Sequence, residues 1–509
     1  MSAYTFRQSK QLRKLRKAIM NRPPYCSGTV PVQAIELSLF YGEGERARQI
    51  NFNDANDVAL KHLVDACKPA IFGRNNEDVF DESYRKAGEL DQSKFAVKLK
   101  VDEKSLLMIV HTQLLEGRSS GRRIEAELYK LNVYGEGLFF KSHKDTPRGG
   151  RMFGSLVVIY PTRHEGGSLV FRDGRNEWTF DSAQAVATST SESPRIGYAA
   201  FFSDVEHAVT PVQTGYRVTV TYNLYFVDDA LHNNPEPRFE DRLTFRAVLE
   251  QLLSDPTFLP KGGRLGFGLR RAYPVEKIST SRWALLDYLR YHLKGSDAEI
   301  MRACEALSLR TDLYLVYRDD DEAGLVAEEP YISTVKQMEE GILHFLREAC
   351  SEEVTEVNDF AGGIANYSVP DDDSQSGVDT SDSNDAEDSE DSDENAADRR
   401  SLSSEQVQDA TENPAGADTD SLHVPAHDSG SDIDDKSVDS ASSDNVRTDD
   451  SDDAKRSWTV HWVTMPSHMN VLEKPAVHYG NEASIDYTYG YVTLIVEVGK
   501  SGKRETKAE

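Results

Sequence analysis

The apolar positions of the chain follow the period of a β-strand in its central third. Between Ile124 and Phe226, short runs with β-branched and aromatic residues at alternate positions are separated by glycine, proline and aspartate turns. Many short strands at close spacing are typical of a β-sandwich or barrel. We therefore predict a double-stranded β-helix (a jelly-roll) as the core of an α+β protein.

Apolar residues at helical spacing occur on both sides of this core. Helices are predicted over about 9–21, 54–64 and 103–115, and again over 238–255, 281–293 and 296–309. Extended patterns cover 31–42, 263–275, 311–319, 456–466 and 484–499, whereas 72–91 is predicted to be a polar loop. The N-terminal helices are expected to buttress the jelly-roll, and the later elements to form a second, mixed α/β module.

Charge is distributed very unevenly along the chain. The formal net charge is −28, and most of the excess lies between Asp371 and Arg456, a stretch rich in serine, aspartate and glutamate with few aromatic residues. Such a composition cannot bury enough apolar surface to offset the entropy of ordering, so we predict a disordered insertion. The predicted domains are 1–120 (helical and β support), 121–228 (jelly-roll), 229–363 (mixed α/β module), 364–456 (disordered acidic insertion) and 457–509 (strands completing the second module).

Several classes of protein are disfavoured. The four cysteines have no C-x-x-C spacing, which argues against a disulfide framework or a zinc ribbon. No stretch approaches the ~20 apolar residues of a membrane span, and the basic N-terminus lacks the apolar region of a secretory signal. No basic footprint for nucleic acid is evident. We expect an intracellular protein, cytoplasmic and/or nuclear, without a membrane or nucleic-acid partner.

Candidate metal ligands lie within the strand-rich region. His143 and Asp145 are two residues apart, so on a strand their side chains project from the same face. His207 is the third candidate and must come from a strand distant in sequence. Two histidines and one carboxylate are the ligand set of a non-haem Fe(II) centre, which leaves open positions for substrates. A surface pair on a hairpin is the alternative for His143 and Asp145, and a core histidine is the alternative for His207.

Arg217 adds a candidate site for a dicarboxylic acid. It lies in a predicted strand, and Thr219 shares its face, so a guanidinium and a hydroxyl can bind one carboxylate together. A bidentate pair between arginine and carboxylate is a strong way to hold the far end of such an acid.

These residues resemble the 2-oxoglutarate/Fe(II) dioxygenases, and among them the prolyl 4-hydroxylase-type catalytic domain. The resemblance is carried by five features in family order: Tyr134-Gly135-x-Gly137, His143-x-Asp145, Gly166-Gly167-x-Leu169-x-Phe171, His207 and Arg217-x-Thr219. It covers about a fifth of the chain. Prolyl hydroxylases commonly have lysine where this chain has Arg217, and the interval between Asp145 and His207 is slightly long.

The resemblance implies Fe(II) held by His143, Asp145 and His207, which would form the catalytic centre. It also implies 2-oxoglutarate held by Arg217, Thr219 and Tyr134, with dioxygen as the second co-substrate and ascorbate as an iron reductant. The expected reaction hydroxylates an unidentified substrate, with a peptidyl proline as one candidate, and releases succinate and CO₂. A protein or peptide substrate would then meet Lys144, Thr146 and Arg148 beside the metal pair.

Two other functions stay open from the sequence. The jelly-roll could be a catalytically weak or inactive binding module, although the complete ligand set argues against that. Alternatively, the acidic tract could carry the function, by binding basic proteins.

Overall fold

The structure is a computed structural model of the chain. It describes residues 3–19, 21–74, 77–101, 106–115, 122–227, 245–276, 284–317, 324–327, 354–357, 457–466, 479–483 and 487–504. All of them belong to one compact unit, which comprises Met1–Ser368 and Ala454–Glu509. The predicted disordered insertion at 364–456 lies outside the described residues.

Helices and strands alternate irregularly along the described chain. The α-helices are α1 (Ala3–Lys17), α2 (Asp57–Ala66), α3 (Leu106–Gln113), α4 (Ser182–Val186), α5 (Phe245–Ser254), α6 (Ala284–Leu289) and α7 (Ser296–Ala306). The strands before residue 124 are β1 (Tyr25–Pro31), β2 (Ser38–Tyr41), β3 (Arg48–Asn51), β4 (Lys68–Pro69), β5 (Phe72–Arg74), β6 (Glu77–Val79), β7 (Arg85–Lys86), β8 (Gly88–Asp91) and β9 (Phe95–Val97). The central strands are β10 (Ile124–Tyr134), β11 (Phe139–His143), β12 (Met152–Ile159), β13 (His164–Gly166), β14 (Leu169–Asp173), β15 (Asn176–Phe180), β16 (Arg195–Phe202), β17 (Glu206–Val209), β18 (Val212–Gly215) and β19 (Arg217–Phe226). The later strands are β20 (Gly263–Glu276), β21 (Arg310–Tyr317), β22 (Gly324–Ala327), β23 (Val354–Val357), β24 (Ser457–Trp458), β25 (Val460–Thr464), β26 (Tyr479–Gly480) and β27 (Tyr487–Val498).

Two antiparallel sheets form a sandwich around the first hydrophobic core. The larger sheet has the strand order β1-β16-β12-β19-β10-β8-β4, and the smaller has the order β15-β14-β17-β11-β7. Aromatic rings join them, since Phe171 of the smaller sheet stacks on Tyr25 at 4.5 Å and lies 5.2 Å from Phe201, both of the larger sheet. The strand-rich, mixed α+β class predicted from the sequence is confirmed.

The sandwich extends beyond the predicted range 121–228. Strands β1, β4 and β8 belong to the larger sheet, and β7 extends the smaller one. The polar stretch 72–91, predicted to be a loop, instead contains four short strands, because their backbone groups pair with neighbours in three different sheets. Helix α3 does pack on the sandwich, through Leu106, Leu107 and Val110.

A second lobe is built on the sheet β24-β23-β22-β21-β27-β20-β25, with α5 and α7 on its core. The strand β27 lies in the interior of this sheet, between β21 and β20 and antiparallel to both. Helix α1 was predicted to buttress the jelly-roll, but its Leu15 is buried in the core of the second lobe and its Gln11 donates a hydrogen bond to Asp255 at 3.0 Å.

Two local predictions were wrong for identifiable reasons. Only strands were predicted between 124 and 226, yet α4 forms within this range because the Asp181 side chain caps it by accepting a hydrogen bond from the Gln184 amide at 3.1 Å. Helix α2 begins at Asp57 rather than at the predicted residue 54, because the Asn56 side chain caps it by accepting a hydrogen bond from the Ala59 amide. Among the described residues, no helix is both long and apolar enough to span a bilayer.

Buried ion pairs join the second lobe to the sandwich. The Lys294 ammonium lies 2.7 Å from Asp204, and Arg271 lies 3.5 Å from the same carboxylate, which also accepts a hydrogen bond from the Ala272 amide. Burial alone would raise the pKa of Asp204, but the charges of Lys294 and Arg271 lower it to about 2. Because Asp204 lies three residues before His207, the second lobe holds the segment that carries a candidate metal ligand.

Replacing Asp204 by asparagine should destabilise the protein at neutral pH by about 3–5 kcal/mol, because Lys294 is left buried without its anion. A carboxyl with a lowered folded-state pKa stabilises the fold above its unfolded pKa of about 4 and loses this effect as the pH falls towards 2. The difference in free energy of unfolding between the wild type and Asp204→Asn should therefore shrink below about pH 4. Urea denaturation at pH 7 and at pH 3 checks this.

The matched control is Glu43→Gln, which breaks an exposed pair with Lys94. Water screens such a pair, so little change is expected. A constant difference between Asp204→Asn and the wild type at both pH values would contradict the assigned charge state of Asp204.

Candidate metal centre

The two candidate histidines lie opposite each other on neighbouring strands. His143 is the last residue of β11 and His207 is the second of β17, and antiparallel pairing places them in register. Their ring centroids are 4.2 Å apart. Asp145 follows β11 directly, and its Oδ1 lies 3.8 Å from His207 Nε2. All three residues are buried, and their ligand atoms are within 4.8 Å of one another, so one ion can contact all three.

Both histidines are held in the tautomer that a metal site requires. The Nδ1 of His143 is 2.9 Å from the Lys141 carbonyl, and the Nδ1 of His207 is 3.0 Å from the Val205 carbonyl. Because a carbonyl can only accept, each Nδ1 carries the proton and each Nε2 is left as the ligand atom. Burial, with smaller effects of His207 and Arg85, lowers the pKa of His143 well below its usual value, so this ring is neutral at neutral pH.

The Asp145 carboxylate is held by hydrogen bonds on both oxygens. The Ser155 hydroxyl of β12 donates to Oδ2, and the Asn481 side-chain amide donates to Oδ1 at 3.0 Å. Hydrogen bonds of this kind orient a ligand and tune its basicity. Asn481 comes from 336 residues further along the chain, and sequence reasoning missed it.

Arg217, at the start of β19, is fully buried beside Tyr134, its partner in the register of β10. Its guanidinium carbon is 5.4 Å from the centre of the Tyr134 ring, and its Nε donates to the Ser182 hydroxyl at 3.1 Å. Its Nη2 has no hydrogen-bond partner among the described residues. Burial lowers the pKa of Arg217 to about 10, which still leaves the side chain charged at neutral pH.

Two small residues make room for this arginine. Gly167 has a φ of +68°, and a Cβ there would lie 2.8 Å from Arg217 Cδ, so any larger residue would displace the side chain. Ser182, the first residue of α4, accepts from Arg217 and donates to the Gly167 carbonyl at 3.1 Å. Sequence reasoning missed Ser182 because it assigned this segment to a strand.

The triad and Arg217 line one cavity. Thr219 also lines it, and its hydroxyl lies 3.4 Å from the Asn132 carbonyl. The other polar lining residues include Tyr129, Tyr134, Arg85, Lys130, Asn132, Thr221 and Asn481. Arg85 and Lys130 both lie 3.3 Å from the fully buried Glu89. No sequence motif pointed to this buried charge cluster, because its members come from β7, β8 and β10.

The three residues predicted to face a substrate, Lys144, Thr146 and Arg148, are not among those that line this cavity. Thr146 is buried, its amide bonded to the Asn481 side chain and its hydroxyl to the Glu482 carbonyl. Arg148 forms an ion pair with Glu482. The Lys144 ammonium lies 6.0 Å from the Tyr489 ring. Thr146 and Arg148 thus contact the segment 479–483, and no local sequence pattern predicted these contacts.

The central part of the sandwich is similar to one known protein family. Residues 129–225 match the family model of the 2OG-Fe(II) oxygenase superfamily. This range contains Tyr134, the three candidate ligands and Arg217. This region of the chain is therefore similar to the 2OG-Fe(II) oxygenase superfamily. Comparison with curated proteins finds no match.

Three solved structures to which this chain is similar are the following. A 2OG-Fe(II) oxygenase-family oxidoreductase from Burkholderia pseudomallei is 15% identical, with 44% of this chain and 80% of that chain covered, at a TM-score of 0.18. A Pseudomonas putida prolyl-4-hydroxylase is 15% identical, with 43% and 100% covered, at 0.23. A Trichoplax adhaerens prolyl hydroxylase, solved with a peptide fragment of the hypoxia inducible factor oxygen degradation domain, is 16% identical, with 44% and 93% covered, at 0.24. The family assignment rests on the match over residues 129–225.

The residues of the site fit the groups that the name of the matching family implies. Two imidazole nitrogens and a carboxylate suit Fe(II). The unpartnered Nη2 of Arg217 is a buried donor on a charged group, and it calls for an anion such as a carboxylate. Tyr134 and Thr219 lie beside it in the same cavity.

Replacing His207 by alanine should reduce the affinity for Fe(II) by more than about 100-fold, because changes to partners of ligands alone cost about 10–100-fold. The secondary structure should be retained, since the site lines a cavity. Anaerobic titration with Fe(II), together with circular dichroism, checks both expectations. The control is His164→Gln, which changes another buried histidine of the sandwich that hydrogen-bonds to Thr162 and Ser182. An unchanged Fe(II) affinity in His207→Ala would exclude the triad.

Proposed function

We propose that the protein is an Fe(II)- and 2-oxoglutarate-dependent dioxygenase that hydroxylates a substrate in the cavity of the sandwich. The observation that carries the proposal is the buried Arg217 with an unpartnered Nη2, in the same cavity as His143, Asp145 and His207. A metal triad alone would fit many iron proteins. The Arg217 guanidinium is buried in the same cavity and has no carboxylate partner among the described residues, which favours a dicarboxylic acid as the co-substrate.

In this proposal the sandwich is a double-stranded β-helix, and each residue of the site has one role. His143, Asp145 and His207 hold Fe(II), while Arg217 binds the distal carboxylate of 2-oxoglutarate with Thr219 and Tyr134 beside it. With Fe(II) and 2-oxoglutarate bound, dioxygen would be the oxidant: one of its oxygen atoms would enter the substrate and the other would enter succinate, with release of CO₂. The protein orients both reactants and excludes water, which is what a buried site contributes to cofactor chemistry.

The proposal does not name a single substrate, because a fold and a metal site do not fix a substrate. A peptidyl proline is one candidate, since the motifs around the triad are prolyl hydroxylase-like. Ascorbate as a reductant and an intracellular location are predictions from the sequence alone. So is binding of basic proteins by the acidic tract at 364–456.

The proposal is tested by succinate release from 2-oxoglutarate in the presence of Fe(II), with peptide and small-molecule candidates as substrates. The wild type should release succinate, and a true substrate should increase the rate and gain an oxygen atom, which mass spectrometry detects. A protein that binds Fe(II) but releases no succinate, with or without candidate substrates, would contradict the proposal.

Arg217→Ala should raise the 2-oxoglutarate KM by about two to three powers of ten. The reason is that a buried charge left without its partner costs about 3–5 kcal/mol. Fe(II) affinity should persist, because the triad is untouched. Arg217→Lys should recover part of the loss, since it keeps a positive charge but not the planar pair of donors. A normal KM in Arg217→Ala would mean that 2-oxoglutarate binds elsewhere or is not the co-substrate.

A further inference from the structure

A short segment from the far end of the chain reaches the metal centre. The Asn481 side chain hydrogen-bonds to two adjacent residues, Asp145 and Thr146, in the loop that follows β11. Its amide nitrogen donates to Asp145 Oδ1 at 3.0 Å, and its carbonyl oxygen accepts from the Thr146 backbone amide at 3.0 Å. Asn481 is 8% exposed. Both ends of one amide are therefore used to hold the turn that carries a candidate metal ligand.

The segment 479–483 is fixed by contacts on either side of Asn481. The Tyr479 carbonyl accepts from the Lys144 amide at 3.2 Å, and the Glu482 carbonyl accepts from the Thr146 hydroxyl at 2.6 Å. Strand β26 also pairs with β5, so that Gly480 lies opposite Gly73. The approach is so close that a Cβ on Gly480 would lie 2.4 Å from the Thr146 hydroxyl oxygen.

The second lobe also contacts the loop that carries Asp145, through strand β27. The Tyr489 hydroxyl, on β27, donates to the Asp145 backbone carbonyl at 2.7 Å. The Asp145 amide in turn donates to the Ser203 carbonyl at 3.1 Å. The backbone of the ligand-bearing turn and its carboxylate are thus both fixed by residues that follow position 456.

We infer that Asn481 is a positioning residue for the metal-binding carboxylate, so that this one side chain of the segment 479–483 belongs to the metal centre. Asp145 lies beyond the end of β11, where no ladder fixes its rotation. One donor on each oxygen, from Ser155 and Asn481, sets the plane of the carboxylate and keeps Oδ1 towards His207. The inference rests on the proposed metal function of the triad.

A purely structural role for Asn481 predicts a different result. A buried amide that only satisfies hydrogen bonds would stabilise the metal-free fold and leave metal affinity unchanged. A positioning residue acts on metal affinity, and partners of metal ligands typically contribute about 10–100-fold. The test therefore measures metal binding and metal-free stability separately, without turnover.

The experiment titrates full-length protein with Co(II), a redox-stable probe whose visible absorption reports binding. Asn481→Ala should lower the Co(II) affinity by about 10–100-fold. Asn481→Thr has nearly the same side-chain volume but cannot bridge Asp145 and Thr146, and it should show a similar loss. The control is Glu482→Gln on the same segment, whose side chain faces Arg148 and Tyr129 rather than the triad. Its Co(II) affinity should match the wild type.

Thermal unfolding of the metal-free proteins identifies which variants are folded, and folded variants decide the outcome. Equal Co(II) affinity in the wild type and in a folded Asn481 variant overturns the positioning role and leaves the proposed function standing. An equal loss in Glu482→Gln also overturns it, because the effect would then belong to the segment as a whole. A wild type that binds neither Co(II) nor Fe(II) would instead refute the metal function and the inference with it.

Discussion

The antiparallel pairing of β11 with β17 is the constraint on which the rest of the site depends. It sets His143 opposite His207, and a carbonyl two residues before each histidine holds the proton on Nδ1 and leaves Nε2 towards the partner ring. Asp145 completes the set from the turn just beyond β11. Because the backbone ladder supplies the alignment, the side chains need only small adjustments to contact one ion.

The sequence was sufficient for the parts of the site that lie on regular strands. His143, His207, Arg217 and Thr219 could be predicted because a strand places alternate residues on one face, and because their order matched a known family. Asp145 was predicted to lie on the same strand face as His143, but it lies beyond the end of β11. The α+β class followed from the two apolar periods. Ser182 was missed because a helix cap at Asp181 overrode an alternating pattern, which is a local competition that periodicity does not register.

Contacts across long sequence separations could not be predicted. Asn481 is joined to Asp145 across 336 residues, and no local pattern distinguishes it from any other polar residue in a turn. The same holds for Lys294 and Asp204, whose pairing links the second lobe to the segment before His207. Both contacts lead to one physical conclusion: residues of the second lobe and of the segment 479–483 hold the loop that carries Asp145 and the turn that precedes β17, on which His207 lies. The candidate ligands lie within the region that matches the oxygenase family, and residues outside that region contact Asp145 and Asp204.

The most direct measurement of the central claim is anomalous diffraction at the iron edge from crystals grown anaerobically with Fe(II) and 2-oxoglutarate. If the triad holds Fe(II), one iron peak is expected between the Nε2 atoms of His143 and His207 and the Asp145 carboxylate. If Arg217 binds the co-substrate, a carboxylate of 2-oxoglutarate is expected at its Nη2. An iron peak away from these three side chains, or 2-oxoglutarate bound with Arg217 still unpaired, would contradict the central claim.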